Sequence, residues 1–215
     1  VVLNNAQPQT NAVTITLPDG STRNFDGPIT GLELAESIGP GLAKAAMAIK
    51  VDDVQRDLSY TIDQDARVAI LTPKDEEGLE IMRHTTAAQV LARAVKELWP
   101  EAKLAIGPTI NTGFYYDIAL DTPIHPDDLP RIEAKMKDII ERNQPVQREM
   151  WDRDEAIAYF EKIGADYKAE IIRNAAENDT TEKGKVSLYR QGEGDDHFMD
   201  LCRGPHVPNT GKIST

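Results

Sequence analysis

The densest cluster of reactive side chains in the sequence is Asp200-Leu201-Cys202-Arg203-Gly204-Pro205-His206. A thiol and an imidazole four residues apart can be aimed at one point. Gly204-Pro205 between them enforces a tight, stiff turn rather than a helix. A thiol flanked by Arg203 and His206 has the neighbours that favour thiolate. These seven residues therefore fit a metal site or a catalytic site, or else a buried structural cysteine beside a surface histidine. His84 is the second candidate, set near an apolar stripe. Positions 84, 88, 91 and 95 share one face of a helix, and Ala88, Leu91 and Val95 make that face apolar. Tyr115 and Tyr116 point to opposite sides of an extended segment, so one of them can line a given pocket. Lys168 follows Asp166-Tyr167 at the start of another helical pattern.

The elements that would carry these residues can be read from periodicity. Residues 1–12 are polar and aperiodic and read as a flexible tail. Val13 to Leu17 alternates with period two, Pro18-Asp19-Gly20-Ser21 is a turn, and Thr22 to Phe25 is the returning strand. A short helix carries Leu32, Leu34, Ala35 and Ile38 and stops at Gly39-Pro40. Lys50-Val51 and Arg67 to Thr72 read as strands. Residues 13–73 are thus a small α+β domain, and the charged stretch after Pro73 opens a second one over 74–215. There Glu76 to Trp99 reads as one long helix closed by Pro100, with acidic residues at its start to complement the helix dipole. Lys103 to Asp117 reads as two strands. A helix spans Leu129 to Ile140, and Asp152 with Glu155 reads as a capping box opening the next. The polar segment 174–185 reads as a loop. Val186 to Arg190 and His197 to Leu201 read as a pair of strands.

Composition limits the function classes. Lys and Arg number 24 against 36 Asp and Glu, a net charge of −12, so the chain does not grip nucleic acid mainly by charge. No apolar run approaches the ~18–20 residues of a membrane helix. One cysteine excludes an intrachain disulfide, and no secretory leader is legible, so a cytoplasmic setting is expected.

The pieces stand in an order that resembles the threonyl-tRNA synthetase family. The stretches that carry the resemblance are VTITLPDGS (13–21), SIGPGLAKAA (37–46), KDEEGLEIMRH (74–84), ELWPEAKLAIGP (97–108), GFYYD (113–117), YKAEII (167–172) and MDLCRGPHVPN (199–209). The resemblance implies a TGS domain of ubiquitin-like β-grasp fold over 13–73. It implies a larger α+β editing domain over 74–215, with a long helix packed on antiparallel sheet. That domain hydrolyses serine wrongly attached to threonine tRNA. By resemblance, His84, Lys168, Asp200, Cys202 and His206 are its catalytic residues, and Tyr116, Gln89 and Arg203 contact substrate. The expected partner is the 3′ end of tRNA(Thr). No metal or cofactor is expected at this site. ATP and zinc belong to an aminoacylation domain whose motifs are absent here, as does the family's expected homodimer contact, so the chain reads as part of a longer protein.

Two departures qualify the resemblance. The family carries H-x-x-x-H on the long helix, whereas the position four after His84 is Ala88. The segment from His84 to Trp99-Pro100 is also one residue longer, which would bring Gln89 to the place of the second His. In a regular helix Gln89 lies roughly 140° round from His84. Convergence requires a π-bulge between Thr85 and Gln89, a defect that favours functional sites. Two other readings remain open. One is a zinc-dependent deacylase of the alanyl-tRNA synthetase editing type, with His84, Cys202 and His206 as ligands. The other is an inert module that binds tRNA or a partner.

Overall fold

The structure, a computed structural model, describes residues 12–105, 107–175, 181–182 and 184–213. The chain divides into two compact units, with the division between Thr72 and Pro73. The expected tail over 1–12 lies, apart from Ala12, outside the described residues, as does half of the expected loop over 174–185.

The first unit runs β1 (Val13–Thr16), β2 (Thr22–Phe25), β3 (Ile29–Thr30), α1 (Gly31–Ile38), α2 (Pro40–Ala45), β4 (Ala48–Val51), β5 (Val54–Asp57), β6 (Thr61–Ile62) and β7 (Ala66–Leu71). Its sheet has the order β2-β1-β7-β4-β5, with β1 and β7 parallel and the other pairs antiparallel. A short β3–β6 pair lies apart from it. This is the β-grasp arrangement. α1 starts where it does because Thr30 and Glu33 cap it reciprocally: the Glu33 N–H donates to Thr30 Oγ1 and the Thr30 N–H to Glu33 Oε2. Leu34 and Ala35 on its inner face join Val13, Ile15, Ile49 and Val68 in one apolar core. Gly31 is needed at the entry, since a Cβ there would press on Ile49 and the Leu58 carbonyl. The sequence does not announce β5. Its hairpin to β4 turns on Asp52 and Asp53, both with positive φ (43° and 69°), a tight turn built without the glycine that usually betrays it.

The second unit begins with α3 (Glu76–Thr85), continues through a π-helical turn (Thr86–Leu91) and ends its first rod with α4 (Ala92–Leu98). Four two-residue strands follow, β8 (Lys103–Leu104), β9 (Thr109–Ile110), β10 (Gly113–Phe114) and β11 (Ile118–Ala119), pairing β9 with β10 and β8 with β11. The two strands expected over 103–117 are thus broken into shorter ones: Gly107-Pro108 separates β8 from β9, and Asn111-Thr112 forms the turn between β9 and β10, Gly113 pairing with Ile110. α5 (Leu129–Glu141) leads to β12 (Val146–Asp152), α6 (Arg153–Lys162), α7 (Asp166–Asn174), β13 (Thr181–Glu182), β14 (Lys185–Glu193) and β15 (Asp196–Leu201). β14 is central and entirely antiparallel to its neighbours, with β12 on one edge and β13 and β15 sharing the other. Asp152 caps α6 through the Asp154 N–H at 3.0 Å; the expected box with Glu155 does not form.

Strand alternation gives the β14 sheet two unlike faces. Val186, Leu188 and Met199 face one way and pack with Phe160 and Ile172 of α6 and α7. Ser187, Tyr189, Gln191 and Asp200 belong to the opposite set. There the π turn meets the sheet, and Arg93 anchors it. The Arg93 guanidinium, 4% exposed, donates to Glu97, Gln144 (2.6 Å), Gln191 (3.2 Å) and Asp196. No helix among the described residues is long and apolar enough to cross a membrane.

Candidate active site

The helical wall of the site is built where α3 loosens. The Ala92 N–H reaches back five residues to the Ala87 carbonyl, the signature of a π turn. The bulge, Thr86–Leu91, overlaps the segment expected between Thr85 and Gln89 and runs two residues beyond it. It does not bring Gln89 beside His84. Ala88 lines the cavity, and Gln89 is fully buried against β14, its carbonyl accepting from Gln191 Nε2 at 3.0 Å. That bond is to the main chain of Gln89; its side-chain amide oxygen meets the same Gln191 Nε2 only at 3.5 Å, while position 88 supplies the cavity wall. Gln89 is therefore removed from the substrate-contacting set.

The opposing wall is the end of β15 and the turn beyond it. Asp200 lies next to the end of the strand, and the chain then turns through Gly204 (φ 69°) and a cis Gly204–Pro205 bond. Glycine is required there, because a Cβ would overlap the Tyr189 hydroxyl. The turn brings Cys202 against two imidazoles. His84 Nε2 lies 3.1 Å and His206 Nε2 3.2 Å from Cys202 Sγ, and the Gly204 N–H points at the same sulfur at 3.4 Å. The two rings stack in parallel, centroids 4.6 Å apart, and Tyr189 meets His206 edge-on. Burial pushes both imidazoles below their ordinary value of 6.5, far more for His206, so both are neutral near pH 7.

Lys168, on the first turn of α7, enters from the side. Its ammonium lies 3.0 and 3.2 Å from the two Asp200 carboxylate oxygens, with both side chains less than a tenth exposed. The Tyr116 hydroxyl reaches the same carboxylate at 3.5 Å, and burial, followed by the nearby Asp200 charge, raises the tyrosine far above its ordinary value. Gly107 makes room for the Tyr116 ring, while Tyr115 is exposed. His84, Lys168, Asp200, Cys202, Tyr116 and Arg203 all line one cavity of about 400 Å³. His206 sits behind it, 1% exposed, in contact with the reactive layer rather than part of the wall.

Three residues of this centre carry no sequence signal of their own. Thr85 is fully buried and bonded to His206; Ser187 donates to the Cys202 carbonyl at 2.6 Å; Tyr189 packs on the His206 ring. The ligand atoms of His84, Cys202 and His206 lie within 4.8 Å of one another. Their N, S and N donors and their spacing fit a three-ligand zinc site with an open fourth position, Ala88 offering no ligand.

Comparison with known proteins bears on both units. Residues 13–72 match the TGS domain, and residues 186–215 match the family described as the threonyl and alanyl tRNA synthetase second additional domain. The chain is similar to threonine–tRNA ligases: 52% identical over 203 residues to that of Rhodospirillum rubrum, 54% over 199 residues to that of an Azoarcus species, and 52% over 201 residues to that of Gluconobacter oxydans. Each alignment covers 93–94% of this chain, which spans about 30% of the length of these relatives.

Proposed function

We propose that this chain belongs to the threonyl-tRNA synthetase family, as a TGS domain followed by an editing-type domain, and that its second unit hydrolyses the ester of serine mischarged on tRNA(Thr). The observation that carries this reading is the meeting of His84, Lys168 and its ion-pair partner Asp200 on one cavity. Serine lacks a single methyl of threonine, a difference worth only ~1–3 kcal/mol in binding. A synthetic site cannot reject serine on that margin, so a second site that hydrolyses the smaller ester is needed.

The residues divide the work as follows. Water attacks the ester carbonyl, the new C–O bond forms, and the 3′ oxygen of the terminal ribose leaves with a proton. A neutral imidazole can take the proton of the attacking water, and His84 is the one that faces the cavity. The Lys168 ammonium, held by Asp200, offers N–H donors to the oxyanion that develops on the carbonyl oxygen. Tyr116 closes the wall beside it. Arg203, exposed at the rim, suits a phosphate of the incoming RNA end. A cavity of about 400 Å³ has room for an aminoacyl ester. No cofactor enters these steps.

The test is deacylation of seryl-tRNA(Thr) and threonyl-tRNA(Thr) by the purified chain. Hydrolysis of the seryl ester alone is expected. Equal rates on both overturn the selection of the smaller ester, and inertness towards both favours a binding module. The His84, Cys202 and His206 trio supports a second reading, a zinc-dependent deacylase. Zinc on these three ligands would polarise the carbonyl and acidify a bound water. Metal analysis decides between them: about one zinc per chain supports the second reading, and zinc-free active protein removes it.

A further inference from the structure

We propose that Thr85 is a positioning residue that sets the tautomers of both site histidines and so decides which imidazole nitrogen is left to accept a proton. For its effect on rate, this rests on the hydrolytic reading above; the tautomers themselves do not.

One buried hydroxyl fixes where the hydrogens lie. Thr85 Oγ1 has three partners: the Ile81 carbonyl at 2.8 Å, the Val207 N–H at 3.1 Å and His206 Nδ1 at 3.1 Å. A hydroxyl has one hydrogen and two lone pairs. The carbonyl can only accept, so Thr85 donates to Ile81. The Val207 N–H can only donate, which fills one lone pair. All three contacts are hydrogen bonds only if His206 Nδ1 carries a proton and donates it to the remaining lone pair. His206 is then the Nδ1–H tautomer, and its Nε2 is a bare acceptor facing Cys202 Sγ.

The assignment propagates. The bare Nε2 of His206 requires the Cys202 S–H as its donor. The sulfur, having given its only hydrogen, can only accept from its other neighbours. The Gly204 N–H is one of these, and His84 Nε2, 3.1 Å away, must be the other. His84 is therefore the Nε2–H tautomer, and its Nδ1 holds the lone pair. The chain of donors runs His84 to Cys202 to His206 to Thr85 to the Ile81 carbonyl, in one direction. Thr85 is fully buried, so water does not compete for its lone pairs.

The experiment is a two-bond proton–nitrogen correlation spectrum of the imidazoles in the full, nitrogen-labelled, chelator-treated chain, recorded at a pH where neutral rings dominate. His125→Gln and His197→Gln, outside the site, assign the two other rings. The expected spectrum shows His206 protonated at Nδ1 and His84 at Nε2. Thr85→Val, which keeps the shape and removes the acceptor, is expected to shift His206 away from the Nδ1–H form and to lower kcat for the seryl ester about 10–100-fold, as loss of an orienting partner does. Thr85→Ser restores both. A His206 protonated at Nε2 in the unmodified chain overturns the proposal, as does a Thr85→Val spectrum unchanged at both rings. If Thr85→Val does not fold, the unmodified and Thr85→Ser spectra still decide. Expected tautomers in a chain that hydrolyses neither ester overturn the hydrolytic reading and leave the tautomer assignment standing.

Discussion

The two units bury different chemistry. In residues 12–72 every buried side chain is apolar, and the ion pair Arg67–Asp53 lies on the surface with both side chains more than 70% exposed. Among the described residues, all buried polar or charged side chains lie in the second unit: Thr85, Gln89, Arg93, Lys168, Ser187, Gln191, Asp200, His206 and Thr210. Burying such groups costs free energy unless each finds a partner. A fold that tolerates nine of them uses them for something an apolar core cannot do. They also fall into two sets. Around Arg93 the partners close on each other and pin the helical rod to the sheet. Around Lys168 and His84 the set opens onto a cavity. Closed polar clusters fix architecture; an open one leaves donors and acceptors facing a substrate.

The sharpest way to break this contrast is to remove the imidazole that faces the cavity. His84→Ala is expected to lower seryl ester hydrolysis by ~10²–10⁴-fold, the usual contribution of a general base, with the thermal midpoint little changed because the ring is half-buried at a cavity edge. A drop in stability without a drop in rate would make His84 architectural. Next in size is Lys168→Met. It strands the Asp200 carboxylate, 5% exposed, and such a break costs about 3–5 kcal/mol. The matched change in the first unit, Arg67→Met, leaves a carboxylate in water and is expected to move the urea midpoint negligibly. Equal losses at the two sites would erase the distinction between the units.

How far these features are legible in sequence depends on how local their cause is. The first unit's hairpin, the capped α1 and the strand Ala66–Leu71 follow from short-range patterns. The irregular helix is legible by counting, since one residue too many between His84 and Trp99 must be absorbed somewhere. Its consequence is not. Whether Ala88 or Gln89 lines the cavity is settled where the irregular turn meets β14, whose Gln191, 102 residues away, donates to the Gln89 main-chain carbonyl. Thr85 is similar. In sequence it is an indifferent helix residue, and its role arises from His206, 121 residues later. The hairpin at Asp52-Asp53 is hidden for a local reason: two aspartates hold positive φ where a glycine would have announced the turn.

Acidification separates the units by a smaller effect. All four histidines lie in the second unit, and burial lowers His84 and His206 below 6.5. The unfolded chain therefore takes up protons first as pH falls through 6.5. The second unit's stability is complete above that value and declines below it, by up to about 1.4 kcal/mol per pH unit for each imidazole. Hydrogen exchange followed segment by segment from pH 7.5 to 5.5 should show protection falling in β14 and β15 and constant in β1 and β7. Parallel decline in both would place the titrating groups elsewhere. At lower pH the second unit has a further sensitivity in Glu97, whose hydrogen bonds with Arg142 and then Arg93 hold it at about 2. Its contribution is present above 4.5 and lost as pH falls towards 2, a loss that Glu97→Gln should remove from the acid limb.

The smallest effect compares two helix starts. In the first unit Thr30 and Glu33 satisfy each other's backbone N–H groups, with a further bond from the Thr30 hydroxyl to Glu33 at 2.8 Å. In the second unit Asp152 makes one capping bond to α6. Losing a cap costs ~0.5–2 kcal/mol. Thr30→Ala is expected in the upper half of that range, because it removes two bonds and leaves the start of α1 without its acceptor. Asp152→Ala is expected in the lower half, because a single exposed bond is replaced readily by water. The Glu33 carboxyl is held below its ordinary value by the Thr30 backbone N–H and then by its hydroxyl. The difference between the two variants should therefore shrink as the solution is taken below pH 4.5 and Glu33 gains its proton. Urea titrations of both variants at pH 7 and pH 3.5 measure this directly. A difference that persists undiminished at the lower pH would mean that the charge on Glu33 contributes nothing to the reciprocal cap.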